Sequence, residues 1–375
     1  MKYQIIIFIA YLFLVARCAP SAREREALNS WLSFRGSSSL QGFANVDIPV
    51  EPQLLWTIEH NQRSVSSPIV INGTVFWCDR RGKITGVDTN GKITFEYDFA
   101  TAVEAPLMAH DSVLYVARID GILTALSLRT RDVLWEYETD GQLSGSANIF
   151  CESDKKYVLF GSYDYFLYCL DAATGELISR FESEYYINGA IALSGRYALF
   201  GGCDALVRKV DVIAGTMTDS IQLDVYVPAS PALNNKHAFI GDHNGTIYRI
   251  DINTMNSDTL YYSDENGSSF LSTPAINNGQ VVFYGSDKHI RMVSENGAEI
   301  WKFLIGDTNE SSPVLTRNHV LACSRNGIIY LLDRKTGLLL WRYDTGEPIN
   351  ASPAVINGRF YVLTARGTMF CFGEE

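Results

Sequence analysis

From Ser67 onwards the chain alternates short apolar runs with polar turns, and this alternation itself repeats. SPIVINGTVFWCDRRGKITGVDTNGKITF, from Ser67, and SPVLTRNHVLACSRNGIIYLLDRKTGLLLW, from Ser312, share one pattern. Each gives an apolar strand, a polar turn, a second strand ending in a small residue, a third strand ending in Asp, and a Gly turn before a fourth strand. The small-residue slot recurs as Cys78, Ala117, Gly161, Gly201, Gly241, Gly285, Cys323 and, enlarged, Leu363, at spacings of 38 to 44 residues. Each unit is a small sheet with an apolar face that it cannot bury alone. Sheets at this period stack radially. The predicted fold is therefore all-β, an eight-bladed β-propeller of four-stranded antiparallel blades over residues 52–375. The last unit stops after its third strand, near Phe372, and EPQLLWTI at residues 51–58 supplies the missing outer strand. Pairing this N-terminal strand with the last blade closes the ring and removes an exposed edge.

The position that closes the fourth strand is aromatic in five units: Trp56 (blade 8), Phe95 (blade 1), Trp135 (blade 2), Trp301 (blade 6) and Trp341 (blade 7). These are the expected blade-docking residues, since a large aromatic buries about 150–250 Å². Blades 3 to 5 carry Ser179, Asp219 and Thr259 instead, which predicts an arc with less inter-blade contact. By strand parity, the loops between blades and the turns between second and third strands share one face. There blades 3 to 5 place Tyr163, Tyr165, Tyr185, Tyr186 and Tyr226, with Asp164 and Asp204 as an acidic arc. Blades 6, 7, 8 and 1 place Lys288, His289, Arg325, Arg366, Arg80 and Arg81 on the same face. Aromatic residues on loops above a rigid scaffold are a common means of binding a partner, so this face is the expected partner-binding surface.

Charge and the chain ends narrow the setting. Among 375 residues, 31 Lys and Arg face 42 Asp and Glu, a formal charge of −11 that excludes nucleic acid as the main partner. The apolar run from Ile5 to Ala16 falls short of the roughly 20 residues that cross a bilayer, so residues 1–18 read as an export signal. Val15-Ala16-Arg17-Cys18 resembles a lipobox in its small residue and its cysteine, with Arg17 where such a box has Gly or Ala, making Cys18 a lipidation candidate. The alternative is ordinary cleavage ahead of Ala19. Residues 19–51 lack sustained periodicity and read as a tether whose removal up to residue 45 leaves the ring folded. Cys78, Cys169, Cys203, Cys323 and Cys371 fall in or beside strands of different units and read as small buried thiols.

The strand-ending Asp171, Asp211, Asp251 and Asp333, the turns Thr174-Gly175 and Thr336-Gly337, and Trp135, Trp301 and Trp341 together resemble PQQ-type propeller repeats over residues 52–372. Trp31, Phe34, Arg35 and Gly36 resemble the segment that precedes many such rings. In overall plan the chain is most similar to BamB-like outer-membrane assembly factors. That resemblance implies a non-catalytic exported propeller acting as a protein-binding scaffold in the bacterial cell envelope. Its partner would be another envelope protein, of the outer-membrane assembly machinery, and its location the periplasm or the periplasmic face of the outer membrane, with membrane contact only through an N-terminal lipid. The alternative is a quinoprotein-like enzyme or sensor holding a small cofactor near the axis. Quinoprotein dehydrogenases carry an adjacent cysteine pair and a calcium site beside a catalytic Asp. No two cysteines are neighbours here, and the Asp residues recur at one turn position where they satisfy backbone donors. His243 and His289, with Asp242 and Asp287, fall short of a four-ligand metal set. No catalytic, metal or cofactor residue is assigned, and pyrroloquinoline quinone is not expected.

Overall fold

The computed structural model describes residues 30–60, 62–262, 272–306 and 310–374. Eight antiparallel sheets of four strands follow one another around a ring. Blade 1 spans residues 69–98, blade 2 108–138, blade 3 148–182, blade 4 192–222, blade 5 232–261, blade 6 275–304 and blade 7 314–344. Blade 8 joins residues 354–373 to the outer strand Gln53–Glu59, which pairs antiparallel with Thr368–Gly373. Burial falls from the axis outwards: the innermost strand Ile69–Ile71 is wholly buried, whereas the outermost strands alternate. The apolar core lies between blades rather than in one centre. Ile69, Phe76, Ile84 and Phe95 of blade 1, for example, pack on Leu114, Val116 and Leu126 of blade 2.

The repeat motif works as a lock between neighbours. The Asp after each third strand turns inward on its own loop: Asp333 Oδ1 accepts from the backbone N–H of Lys335 and Thr336, and Asp171 from those of Ala173 and Thr174. The turn glycine then adopts a positive φ, at Gly175 and Gly337, and leaves a flat seat where an added Cβ would strike the preceding blade's indole. Trp135 lies on Gly175 and Trp301 on Gly337. Each indole Nε1–H also donates into the next blade: Trp56 to Thr89 O, Trp135 to Ala172 O and Trp301 to Arg334 O, at 2.9 to 3.1 Å. Trp341 packs on Phe360 and Phe372 of blade 8, and Phe95 lies beneath the Arg131 guanidinium of blade 2.

Blades 3 to 5 use smaller links at the same seam. Ser179 donates its hydroxyl to Val212 O of blade 4, and Lys209 its ammonium to Ile252 O of blade 5 at 2.7 Å. Such hydrogen bonds contribute about 1 kcal/mol net, against roughly 3–5 kcal/mol lost on truncating a buried Trp such as Trp301 and less for the half-buried Trp56, Trp135 and Trp341, so this arc is the more weakly joined at the seam. Thr259 is not the closing residue of blade 5. Most outer strands carry a bulge beside the closing position, but blade 5 lacks it there, so Asp258 stands opposite Arg249 and binds its guanidinium. Leu260 meets the turn at Gly297 in place of an aromatic.

The stretch expected as a tether is, over residues 31–48, part of the ring's interior. Trp31 pairs antiparallel with Val70 of blade 1, so the chain enters the axial channel from the end carrying the first-to-second-strand turns. It then binds inner strands in succession: Leu32 O takes Ala109 N, Ser38 O Leu193 N, Ser39 O Leu233 N, Gln41 O Ile276 N and Gly42 O Leu315 N. Phe43 runs parallel to Leu315, which returns the chain to the same end, where Asp47 caps the Asn318 turn before the outer strand of blade 8 begins. Trp31, Arg35 and Leu40 are buried.

Candidate functional site

Strand parity places the between-blade loops and the second-to-third-strand turns on one face, and their hydrogen bonds join them. Arg80 N binds Arg63 O, Tyr163 N binds Gln142 O, His243 N binds Tyr226 O and Ala365 N binds Pro348 O. On this loop face Tyr186 stands between Tyr163 and Tyr165, with ring centroids 5.0 and 5.2 Å away. Tyr165, Tyr185 and Tyr186 are 40 to 45% exposed, an aromatic patch in contact with water. A hydrogen bond with Tyr165 raises the Tyr186 hydroxyl pKa above its ordinary value, so Tyr186 remains a neutral, amphipathic ring at physiological pH. Tyr226 does not join them. It stacks on His243, 4.3 Å between centroids, in the next blade.

Tyr165 occupies a strained position. The turn it closes takes glycine in five blades, at Gly82, Gly121, Gly245, Gly327 and Gly367, all with φ between 86° and 94°. Tyr165 (φ 77°), Ala205 (φ 63°) and Lys288 (φ 63°) hold the equivalent left-handed conformation with a side chain attached. For a bulky residue this is a genuine outlier, and such strain gathers where a side chain is presented for binding.

The electrostatics of the face differ in part from the sequence expectation. Asp164 and Asp204 do not form an acidic arc. Asp164 accepts from Phe166 N and the Tyr168 hydroxyl, and Asp204 pairs with the buried Arg208, so both carboxylates serve the fold. Their partners lie on the following strand, four residues on, where sequence alone does not show that Arg208 is buried. The acidic character comes instead from Asp140, Glu182 and Glu184, which are exposed beside the tyrosines and were missed. On the opposite arc Arg81, Lys288, Arg325 and Arg366 are exposed, while Arg80 is paired with Glu104. Asp164 and Asp204 thus drop out of the expected acidic arc, and Arg80 is tied to a neighbouring carboxylate. Cys203 is exposed in the blade 4 turn rather than buried, whereas Cys78, Cys169, Cys323 and Cys371 are buried, and burial pushes the last three thiols up to about 12. Cys18 lies outside the described residues.

His243 and His289 take separate partners, the second bonded through Nδ1 to Asp287 O. Among the described residues no group of three or more His, Cys, Asp or Glu is arranged to hold a metal ion. At the axis, residues 31–48 run through the channel at the level of the inner strands, leaving a space of about 410 Å³ against the inner strands of blades 2 to 4. Above them a polar cup of about 220 Å³ opens to the loop face, with Phe34 at its base. A quinone near the axis would have to share the channel with this segment, and the cup is lined mainly by hydroxyls, with the amides Asn188 and Asn350 and a single carboxylate, Glu310.

The model for the family described as "Outer membrane protein assembly factor BamB" matches residues 50–254, 152–306 and 286–373. The chain belongs to the PQQ-type β-propeller family. BamB from Moraxella catarrhalis superimposes with a TM-score of 0.71 at 18% identity, covering 86% of this chain and 98% of that one. Quinohemoprotein alcohol dehydrogenase from Comamonas testosteroni gives a TM-score of 0.76 at 14% identity, covering 94% and 82%. A computationally designed protein, Ika8, gives 0.74 at 17% identity, covering 86% and 100%. No curated protein matches the chain. Likeness at these identities shows the ring and does not choose among the functions its relatives carry.

Proposed function

We propose that this chain is a non-catalytic, exported binding platform in a bacterial envelope that engages another envelope protein through its loop face, in the manner of BamB-like assembly factors. The observation that carries the reading is the exposed Tyr165–Tyr185–Tyr186 patch, packed on the half-buried Tyr163, held partly by strained backbone and flanked by Asp140, Glu182 and Glu184. Rigid aromatics lose little side-chain entropy on binding, and a few of them usually dominate affinity. The facing basic arc sets orientation and association rate more than affinity. An N-terminal export signal with Cys18 as its lipid site would keep the protein at the periplasmic side of a membrane. The axial segment supports a scaffold over a quinone enzyme, because residues 31–48 occupy the channel such an enzyme would need for its cofactor.

The test is the double substitution Tyr185→Ala/Tyr186→Ala. Capture of the envelope partner should fall at least tenfold, while the melting temperature stays within about 1 °C, as expected for exposed residues. Arg325→Glu/Arg366→Glu should mainly change the salt dependence of association. Unfolding by the tyrosine pair, or undiminished capture by both variants, would remove the loop face as the binding surface.

A further inference from the structure

Between its first contact at blade 1 and its last at blade 7, the axial segment passes over one blade among the described residues. In blades 1, 2 and 4 to 7 the second residue of the inner strand donates its N–H straight to a carbonyl of residues 31–42: Val70, Ala109, Leu193, Leu233, Ile276 and Leu315. The corresponding N–H of blade 3 belongs to Ile149. It turns instead to its own neighbour, donating to Asn148 Oδ1 at 2.8 Å. Asn148 then does with a side chain what the other blades do with main chain, since its Nδ2 donates to Ser38 O at 2.8 Å and to Ile191 O at 2.7 Å. The first inner-strand position, which Asn148 occupies, is apolar in every other blade. The segment crosses blade 3 through the turn Phe34–Gly36, where Arg35 takes a φ of 64°. It is therefore held off this strand by a side chain rather than laid directly along it.

The gap so made is the space of about 410 Å³ against blades 2 to 4. Leu32, Met108, Ile149 and Leu193 are among its walls, and Leu32 and Ile149 are only half-buried there. The inner strand of blade 3 is five residues long, Asn148–Glu152, against two or three elsewhere, and it carries Cys151 into the lining at the end where the chain enters the channel. Cys151 and Gly195, both exposed, mark the mouth. Among the described residues, no Lys, Arg, Asp or Glu lines this space, and His110 is its one ionisable base. Its size lies within the roughly 300–1,000 Å³ of ligand pockets, which are mostly apolar with a few polar groups. A charged ligand would lose its hydration there without gaining a counter-charge, which is costly.

We propose that this space is a small-molecule site that takes an uncharged, mainly apolar ligand from the entry end of the channel, with the body of the ligand against Leu32, Met108, Ile149 and Leu193. A carboxylate-bearing quinone is not such a ligand. This inference stands apart from the partner-binding reading, because the tyrosine patch lies on the opposite face.

The experiment titrates the purified protein with the neutral fluorophore N-phenyl-1-naphthylamine and follows alkylation of individual cysteines by N-ethylmaleimide, peptide by peptide, in mass spectra. Two exposed thiols report on the two faces: Cys151 in the lining of the space, and Cys203 on the loop face near Tyr186. The expected result is a saturable rise in fluorescence with one site per chain. At saturating probe, alkylation of Cys151 should slow at least tenfold while that of Cys203 is unchanged. Ser38→Trp, which adds bulk to the lining, should weaken probe binding at least tenfold. The proposal is overturned if binding is not saturable, if the probe slows Cys151 no more than Cys203, or if Ser38→Trp binds as tightly as the unmodified protein. Should Ser38→Trp fail to fold, the two alkylation rates in the unmodified protein decide by themselves.

Discussion

At φ 77°, Tyr165 holds with a large side chain a conformation that five other blades assign to glycine. Left-handed backbone costs an ordinary residue about 1–2 kcal/mol, and its ring contact with Tyr186 returns only part of that. Tyr165→Gly should therefore stabilise the ring by about 1 kcal/mol in denaturant unfolding while weakening partner capture. A loss of stability greater than 1 kcal/mol would show that the ring serves the core. At this scale the sequence was informative where periodicity governs orientation. Alternation alone put Tyr163, Tyr165, Tyr185 and Tyr186 on one face. It did not reveal that Asp204 is bound to a buried Arg208, because the period of a strand gives the side of a residue and not its partner. Arg35 was visible only as part of a familiar-looking motif; its burial depends on the path of a segment without periodicity.

Among the elements, the strands were legible and the axial segment was not. Four apolar runs per unit, punctuated by turn residues, gave the blades and the closing strand, observed at Gln53–Glu59 beside Thr368–Gly373. Blade 5 departs because its bulge lies two residues away, at Ile247/Tyr248 rather than beside the closing position, and the pairing between the two points is shifted by one residue. Residues 31–48 looked like a tether because their hydrogen bonds go to the inner strands of different blades, which leaves no local pattern in sequence. The segment joins blades 1 and 2 to blades 4 through 7, bridging the arc whose seam lacks tryptophans. Deleting residues 30–48 should thus cost at least about 3 kcal/mol, from Trp31 and Leu40 alone, and broaden the thermal transition. An unchanged, equally cooperative melt would return the segment to the status of a tether.

On the scale of the whole molecule, the ring presents two unlike faces. The chain enters the axis from the face of the first-to-second-strand turns, so the tyrosine patch and the axial cup open on the side away from that entry. The loop face combines an aromatic patch with exposed acids on one arc and exposed bases on the other. Such a surface orients a partner as well as holding it. The ring itself was legible from the repeat, since eight units at one spacing admit few other closed arrangements; the face proposed to bind a partner was singled out only by where the repeat decays. The most direct measurement is site-specific photo-cross-linking in the native envelope, comparing a probe at Tyr185 with one at Asn235, an exposed turn residue on the opposite face. The account predicts one discrete cross-linked partner from Tyr185 and none from Asn235; a discrete adduct from Asn235 with none from Tyr185 would contradict it.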